Sequence, residues 1–98
     1  MNKKISVCIP SYNHGLYIAD TIKSVLCQSF CDFEIIISDD NSTDNTVEIV
    51  KSFNDSRIKL IENKCNQGPS INANIAVQNA SSEYLALIAS DDMIEKTR

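Results

Sequence analysis

A three-layer α/β unit around a parallel sheet of about four strands is the fold class this 98-residue chain predicts. Two observations carry it. Short apolar runs rich in β-branched residues alternate with stretches whose apolar residues recur at helical spacing. The apolar runs are also continuous rather than alternating in polarity, the pattern of strands covered on both faces. Helices then lie on both sides of the sheet, joined by right-handed crossovers.

The first strand is Ile5-Ser6-Val7-Cys8-Ile9, ended by Pro10, which has no N–H to give a ladder. Between Leu16 and Ser29 the period changes, and Ile18, Ile22, Val25 and Leu26 fall on one helical face. Phe33 to Ile37 is the second strand, ended by Ser38-Asp39-Asp40. Asn41 to Asp44 is turn-forming, with Ser42 or Thr43 placed to cap a helix carrying Val47, Val50 and Phe53. Ile58-Lys59-Leu60-Ile61 is the third strand, and Asn63 to Gly68 the loop after it. Pro69 suits the first turn of a third helix running to about Gln78, with Ile71 and Ile75 expected to face inward.

Tyr84 to Ile88 is the fourth strand, followed by Ser90-Asp91-Asp92. Met93 to Arg98 reads as the opening of a further helix, so the organisation looks interrupted there. Residues 1–98 are therefore expected to be a single domain. Its fourth strand keeps a free edge through which two copies could pair.

Composition narrows the function classes. The formal charge is −4 with no block of Lys or Arg, which argues against nucleic acid, whose affinity rests on clustered cations. The four cysteines at 8, 27, 31 and 65 form no Cys-x-x-Cys, and His14 is the single histidine, so neither zinc nor a disulfide framework is indicated. Reduced structural cysteines fit a cytoplasmic protein, the inner face of the membrane included. The N-terminus has no signal-peptide core, and no run approaches the roughly 20 apolar residues of a membrane-spanning helix.

In open parallel sheets, ligands bind beyond the carboxyl ends of the strands. The polar residues of this chain gather at those ends: Pro10-Ser11-Tyr12-Asn13-His14, Asp39-Asp40, Asn66-Gln67-Gly68 and Asp91-Asp92. Adjacent carboxylates repel unless a cation lies between them or one takes a proton. A divalent cation with oxygen ligands is the economical solution at Asp91 and Asp92, and Mn2+ or Mg2+ takes further ligands from phosphates. No glycine-rich phosphate cradle is present, so a diphosphate on this rim needs the metal. Asp, Asn and Ser at strand ends also serve as turn formers and helix caps, and Ser42 and Asp44 read best as such. Ser90 could likewise cap the helix near Asp92. For one acidic pair the two readings weigh about equally, and two pairs on one rim favour a site. His14 reads as a surface or capping group, and Asn72, Asn74 and Asn79 form no motif by spacing.

Four segments together resemble the family 2 glycosyltransferases. Ser6-Val7-Cys8-Ile9-Pro10-Ser11-Tyr12-Asn13 is similar to that family's opening strand with its Pro-x-Tyr-Asn end. Glu34 to Thr46, with Asp39-Asp40-Asn41-Ser42-Thr43-Asp44, is similar to its Val-Asp-Asp-Gly-Ser-x-Asp-x-Thr segment, and Asn66-Gln67-Gly68-Pro69-Ser70 to its Asn-x-Gly-x-Ser loop. Ala89-Ser90-Asp91-Asp92 falls where its metal-binding Asp-x-Asp belongs. The resemblance spans nearly the whole chain, in order and at the right spacing.

It implies the N-terminal, Rossmann-like half of a GT-A fold and an inverting enzyme using a nucleotide-diphospho-sugar, UDP favoured, with Mn2+ or Mg2+. It also implies a role in cell-surface polysaccharide or glycan synthesis, on a saccharide or lipid-linked acceptor. By position, Pro10, Tyr12 and Asn13 line the nucleotide pocket, Asp39 accepts a hydrogen bond from the base and Asp40 supports that loop. Asn66, Gly68 and Ser90 complete the donor site, and Asp91 and Asp92 face metal and diphosphate. Two departures stand out: Ala89 replaces the usual first Asp, and Asn72-Ala73-Asn74 lacks the arginine of the common Ala-Arg-Asn. The family's general base follows the metal motif, beyond Arg98, so residues 1–98 are expected to bind donor without transferring sugar. A signalling receiver domain is excluded by the Pro-Ser-Tyr-Asn end of the first strand, and a nucleotidylyltransferase by the lack of a basic glycine-rich opening loop. A non-catalytic nucleotide-sugar-binding module is the alternative.

Overall fold

The computed structural model describes residues 5–27, 32–82 and 84–88. The acidic pair Asp91-Asp92, Ser90 and the helix expected from Met93 lie outside them. The order is β1 (Ile5–Ser11), α1 (Ile18–Leu26), β2 (Phe33–Asp39), α2 (Thr46–Ser52), β3 (Ile58–Glu62), α3 (Pro69–Gln78) and β4 (Tyr84–Leu87). The four strands form one parallel sheet in the order β3-β2-β1-β4.

Alternation along the central strands divides the core in two. Val7, Ile9, Ile35 and Ile37 face α1 and α2, and pack with Ile18, Ile22, Val25 and Val50. Cys8 and Ile36 face the other way and meet Ala76 of α3. Burying each of these aliphatic side chains contributes roughly 1.5–3 kcal/mol. The chemistry of Cys8 is packing, since its thiol is buried and burial pushes its pKa up, aided by the Glu34 charge. Cys8, Cys27 and Cys65 are all free.

β1 runs two residues further than its proline suggests. Pro10 pairs with Ser38 of β2, and among the described residues the pairing with β4 runs from Ile5 to Cys8. β2 similarly extends through Ser38 to Asp39.

Two local expectations are corrected. In α3, Ile71 is 51% exposed, and the buried positions are Asn72 and Ala76. Contact with Cys8 and Ile36 requires a small residue at the closest approach, so Ala76 faces the sheet and Ile71 turns outward. At α2, neither Ser42 nor Thr43 caps the helix. Asp44 accepts the Thr46 N–H at 3.0 Å and the Thr46 hydroxyl at 2.5 Å, because the earlier loop residues are tied to β1 and β2.

β4 closes one side of the sheet, with Tyr84, Leu85 and Leu87 about half exposed. Among the described residues, no helix is long and apolar enough to cross a membrane.

Candidate functional site

Parallel topology brings the loops after β1, β2 and β3 to one rim. There they bound a cleft of about 500 Å³, a volume suited to a small-molecule ligand. Pro10 lines it from the end of β1, Tyr12 and His14 from the first loop, Asp40 from the second, Asn66 from the third, and Pro69 and Asn72 from the first turn of α3.

The first two loops are clasped together by asparagine. Asn13 and Asn41 adopt positive φ, 53° and 64°, a region asparagine tolerates better than most residues. That geometry lets Asn13 Oδ1 accept the Thr43 N–H at 2.8 Å and the Asp44 N–H at 3.3 Å, while the Asn13 N–H donates to Ser42 Oγ at 2.9 Å. The Gly15 N–H reaches Asp44 Oδ2 at 3.0 Å, and a Cβ on Gly15 would collide with the Asn45 side chain. Asn13 thus serves as a clasp at the edge of the cleft.

Asp39 and Asp40 have different surroundings. Asp39 Oδ1 accepts the hydroxyls of Ser11 at 3.0 Å and Ser42 at 2.6 Å, and its Oδ2 accepts the Ser42 N–H at 2.8 Å. This carboxylate is engaged inside the fold. Asp40 Oδ1 accepts the Asn63 side-chain amide at 3.0 Å and the Gln67 N–H at 2.8 Å, while Oδ2 accepts the Gly68 N–H at 3.0 Å. Burial works to raise the Asp40 pKa, but these three donors outweigh it and hold the group below its ordinary value. The cleft is therefore lined by a carboxylate that stays ionised at neutral pH.

Gly68 faces Asp40 rather than the cleft. Its φ of 94° places it in a region that L side chains rarely adopt, and that conformation aims its N–H at the carboxylate. Of the residues expected from the sequence, Pro10, Tyr12, Asp40 and Asn66 come together on the cleft, and Asn13, Asp39 and Gly68 support it. Ser90, Asp91 and Asp92 fall outside the described residues. His14, read from the sequence as a surface or capping group, and Pro69 and Asn72, given no site role there, also line the cleft. A signal for Asn72 existed: it stands one turn after Gly68, and its N–H closes on the Gly68 carbonyl at 2.9 Å, which orients it with the loop.

Among the described residues, no group of three or more His, Cys, Asp or Glu could hold a metal ion. The oxygens of Asp39 and Asp40 are already engaged by N–H and O–H donors, so they fit a cation poorly.

Known proteins share both sequence and fold with the chain. It is 40% identical over 89 residues to the UDP-Glc:alpha-D-GlcNAc-diphosphoundecaprenol beta-1,3-glucosyltransferase WfgD of Escherichia coli, covering 91% of this chain and 35% of that protein. The structure of S. aureus TarS in complex with UDP-GlcNAc matches with a TM-score of 0.90 at 36% identity, over 95% of this chain and 28% of that one. The mannosyltransferase PcManGT of Pyrobaculum calidifontis, in complex with GDP-Man and Mn2+, matches in fold with a TM-score of 0.83 at 23% identity, over 91% and 28%. The chain thus spans about a third of the curated relative's length. Residues 6–98 match the sequence profile of Glycosyl transferase family 2, and with the GT-A-type sheet and these relatives, the chain belongs to that family.

Proposed function

We propose that residues 1–98 are the donor-binding part of an inverting, metal-dependent glycosyltransferase that draws on a nucleotide-diphospho-sugar, a UDP-sugar by preference. The observation that carries this reading is the Asp40 carboxylate, held by three N–H donors, on a ligand-sized cleft beside Tyr12, whose residue surface is 43% exposed. A carboxylate only accepts hydrogen bonds, so Asp40 favours a base edge that donates, such as the imide N–H of uracil. The Tyr12 ring offers a stacking face for the same base. Within this reading Asp40 meets the base, since the oxygens of Asp39 are taken by Ser11 and Ser42. That TarS binds UDP-GlcNAc supports the preference for uridine.

The metal, Mn2+ or Mg2+, is assigned to Asp91 and Asp92. Such an ion neutralises the charge that develops on a diphosphate leaving group. Transfer with inversion joins the acceptor oxygen to the anomeric carbon as the bond to the diphosphate breaks, and a general base takes the acceptor proton. The family resemblance implies that this base follows the metal motif, and residues 1–98 are read as the part that holds the donor. The acceptor is a saccharide or a lipid-linked saccharide in cell-surface polysaccharide or glycan synthesis, as the name of the E. coli relative suggests. That acceptor accords with a cytoplasmic site at the inner face of the membrane.

Pairing of two copies through β4, where Leu85 and Leu87 are exposed at the sheet edge, is part of the proposal. Sedimentation of a monomer at high concentration would count against it. Titration calorimetry of UDP, GDP and dTDP, each with and without Mn2+, tests the donor assignment. Saturable UDP binding, strengthened by Mn2+, is expected. Binding of none of the three would overturn the reading.

A further inference from the structure

The two oxygens of an ionised carboxylate offer about four lone-pair positions. At Asp40 three are filled among the described residues: two on Oδ1, by the Asn63 amide and the Gln67 N–H, and one on Oδ2, by the Gly68 N–H. Among the described residues one position remains, and it is on Oδ2.

The Asn63 donor is held in place from behind. The same amide nitrogen that meets Asp40 at 3.0 Å also donates to Asn72 Oδ1 at 3.0 Å, so both of its protons are committed. Asn72 Oδ1 accepts the Ser38 hydroxyl at 2.6 Å as well, and Asn72 Nδ2 donates to the Ser11 carbonyl at 3.3 Å. Asn72 is 2% exposed and Ser38 fully buried. Turning the Asn63 amide away from Asp40 would therefore break a network anchored on β1, β2 and α3.

We propose that Asn63, fixed by Asn72, is a specificity-determining residue that keeps Asp40 to a single free acceptor position, so that the cleft takes uracil or thymine and rejects guanine. The proposal rests on the reading that Asp40 meets the base. Uracil and thymine present one imide N–H between two carbonyls, which one Oδ2 position satisfies. Guanine presents its N1–H and its N2 amine side by side, and a carboxylate meets that pair through one oxygen each. With Oδ1 already filled, one guanine N–H is left unpaired in a desolvated site, a penalty corresponding to about a tenfold to hundredfold loss of affinity.

Calorimetric titration of UDP and GDP into the unaltered chain and into Asn63→Ala tests this. The unaltered chain is expected to favour UDP by about tenfold or more. Asn63→Ala opens the Oδ1 position and is expected to narrow that preference by about fivefold or more. Asn72→Ala, which frees the second proton of Asn63, should narrow it in the same direction by less. If Asn63→Ala does not fold, Asn63→Ser, too short to span Asp40 and Asn72, replaces it with the same expectation. A purely structural role would weaken both nucleotides by one factor, and an unchanged UDP-to-GDP ratio overturns this proposal alone. Binding of neither nucleotide by the unaltered chain overturns the parent reading and this one with it.

Discussion

Asp40 accepts the backbone N–H of Gly68 at 3.0 Å across 28 residues of sequence, fastening the tip of β2 to the first turn of α3. Asp39, its neighbour, reaches the other way, to Ser11 and Ser42. The rim of the cleft is thus built from two carboxylates that share a peptide bond and little else.

The division can be separated by isosteric substitution. Asp39→Asn can satisfy its partners, since the Ser11 and Ser42 hydroxyls can turn to accept an amide N–H, but it gives up the charge-assisted hydrogen bonds of a buried carboxylate, about 1–3 kcal/mol. Urea denaturation should show that loss, while UDP affinity of the folded protein stays within about threefold of the unaltered chain. Asp40→Asn sets an amide N–H against the Gln67 or Gly68 N–H, neither of which can accept, and also removes the negative charge from the cleft. It should lose stability similarly and lose UDP affinity by about tenfold or more.

Tyr12 carries the stacking part of the reading. Tyr12→Ala is expected to weaken UDP binding by about 1–3 kcal/mol, the range for loss of one base–aromatic stack. Unfolding free energy should move by no more than about 0.5 kcal/mol, because the residue is 43% exposed. A large stability loss with unchanged affinity would assign Tyr12 to the fold instead.

At the opposite end of the sheet, Glu34 ties β1, β2 and the α3–β4 loop. Its Oε2 accepts the Ser6 hydroxyl at 2.5 Å, the Ser81 N–H at 2.9 Å and the Ser81 hydroxyl at 2.8 Å, and Lys59 lies 3.9 Å from Oε1. Burial works to raise its pKa, but these donors and the Lys59 charge bring it from 4.5 down to about 2. A folded-state pKa below the unfolded value contributes stability that is complete above about pH 4.5 and is lost as pH falls toward 2. The contribution is on the order of 2–3 kcal/mol. Asp55, hydrogen-bonded by the Arg57 side chain and backbone, is also lowered to about 2, so Glu34→Gln should reduce the acid slope of stability without abolishing it. Parallel acid profiles for the two proteins, from urea midpoints between pH 2 and pH 5, would falsify this assignment.

The two central strands and the first helix were legible because burial there follows composition. Ile18, Ile22 and Val25 repeat at helical spacing, and all three are fully buried. α3 was less legible. Hydrophobicity favoured Ile71 and Ile75 as its inner face, whereas the face is set by Ala76 against Cys8 and by the demand for a polar residue, Asn72, under the cleft. The hydrogen-bond partners of the acidic pair were not readable from spacing either. Successive strand residues point to opposite faces, both of them covered here, so both carboxylates are buried and differ in the partners they meet. Register decides which: Asp39 pairs with Ser11 on one side and Glu62 on the other, still within the sheet, while Asp40 is the first residue past it. Nothing in either residue's identity encodes that one-position difference.

An amide NMR titration of the 98-residue chain with UDP and Mg2+ decides whether the cleft is a nucleotide site. Saturable shifts should appear together at Tyr12, Asp40, Asn66, Gln67 and Gly68, with Ser6 and Ser81 at the far end of the sheet unmoved. Absence of saturable shifts at the cleft, or a response centred on Ser6 and Ser81, would contradict the assignment of this rim to the sugar donor.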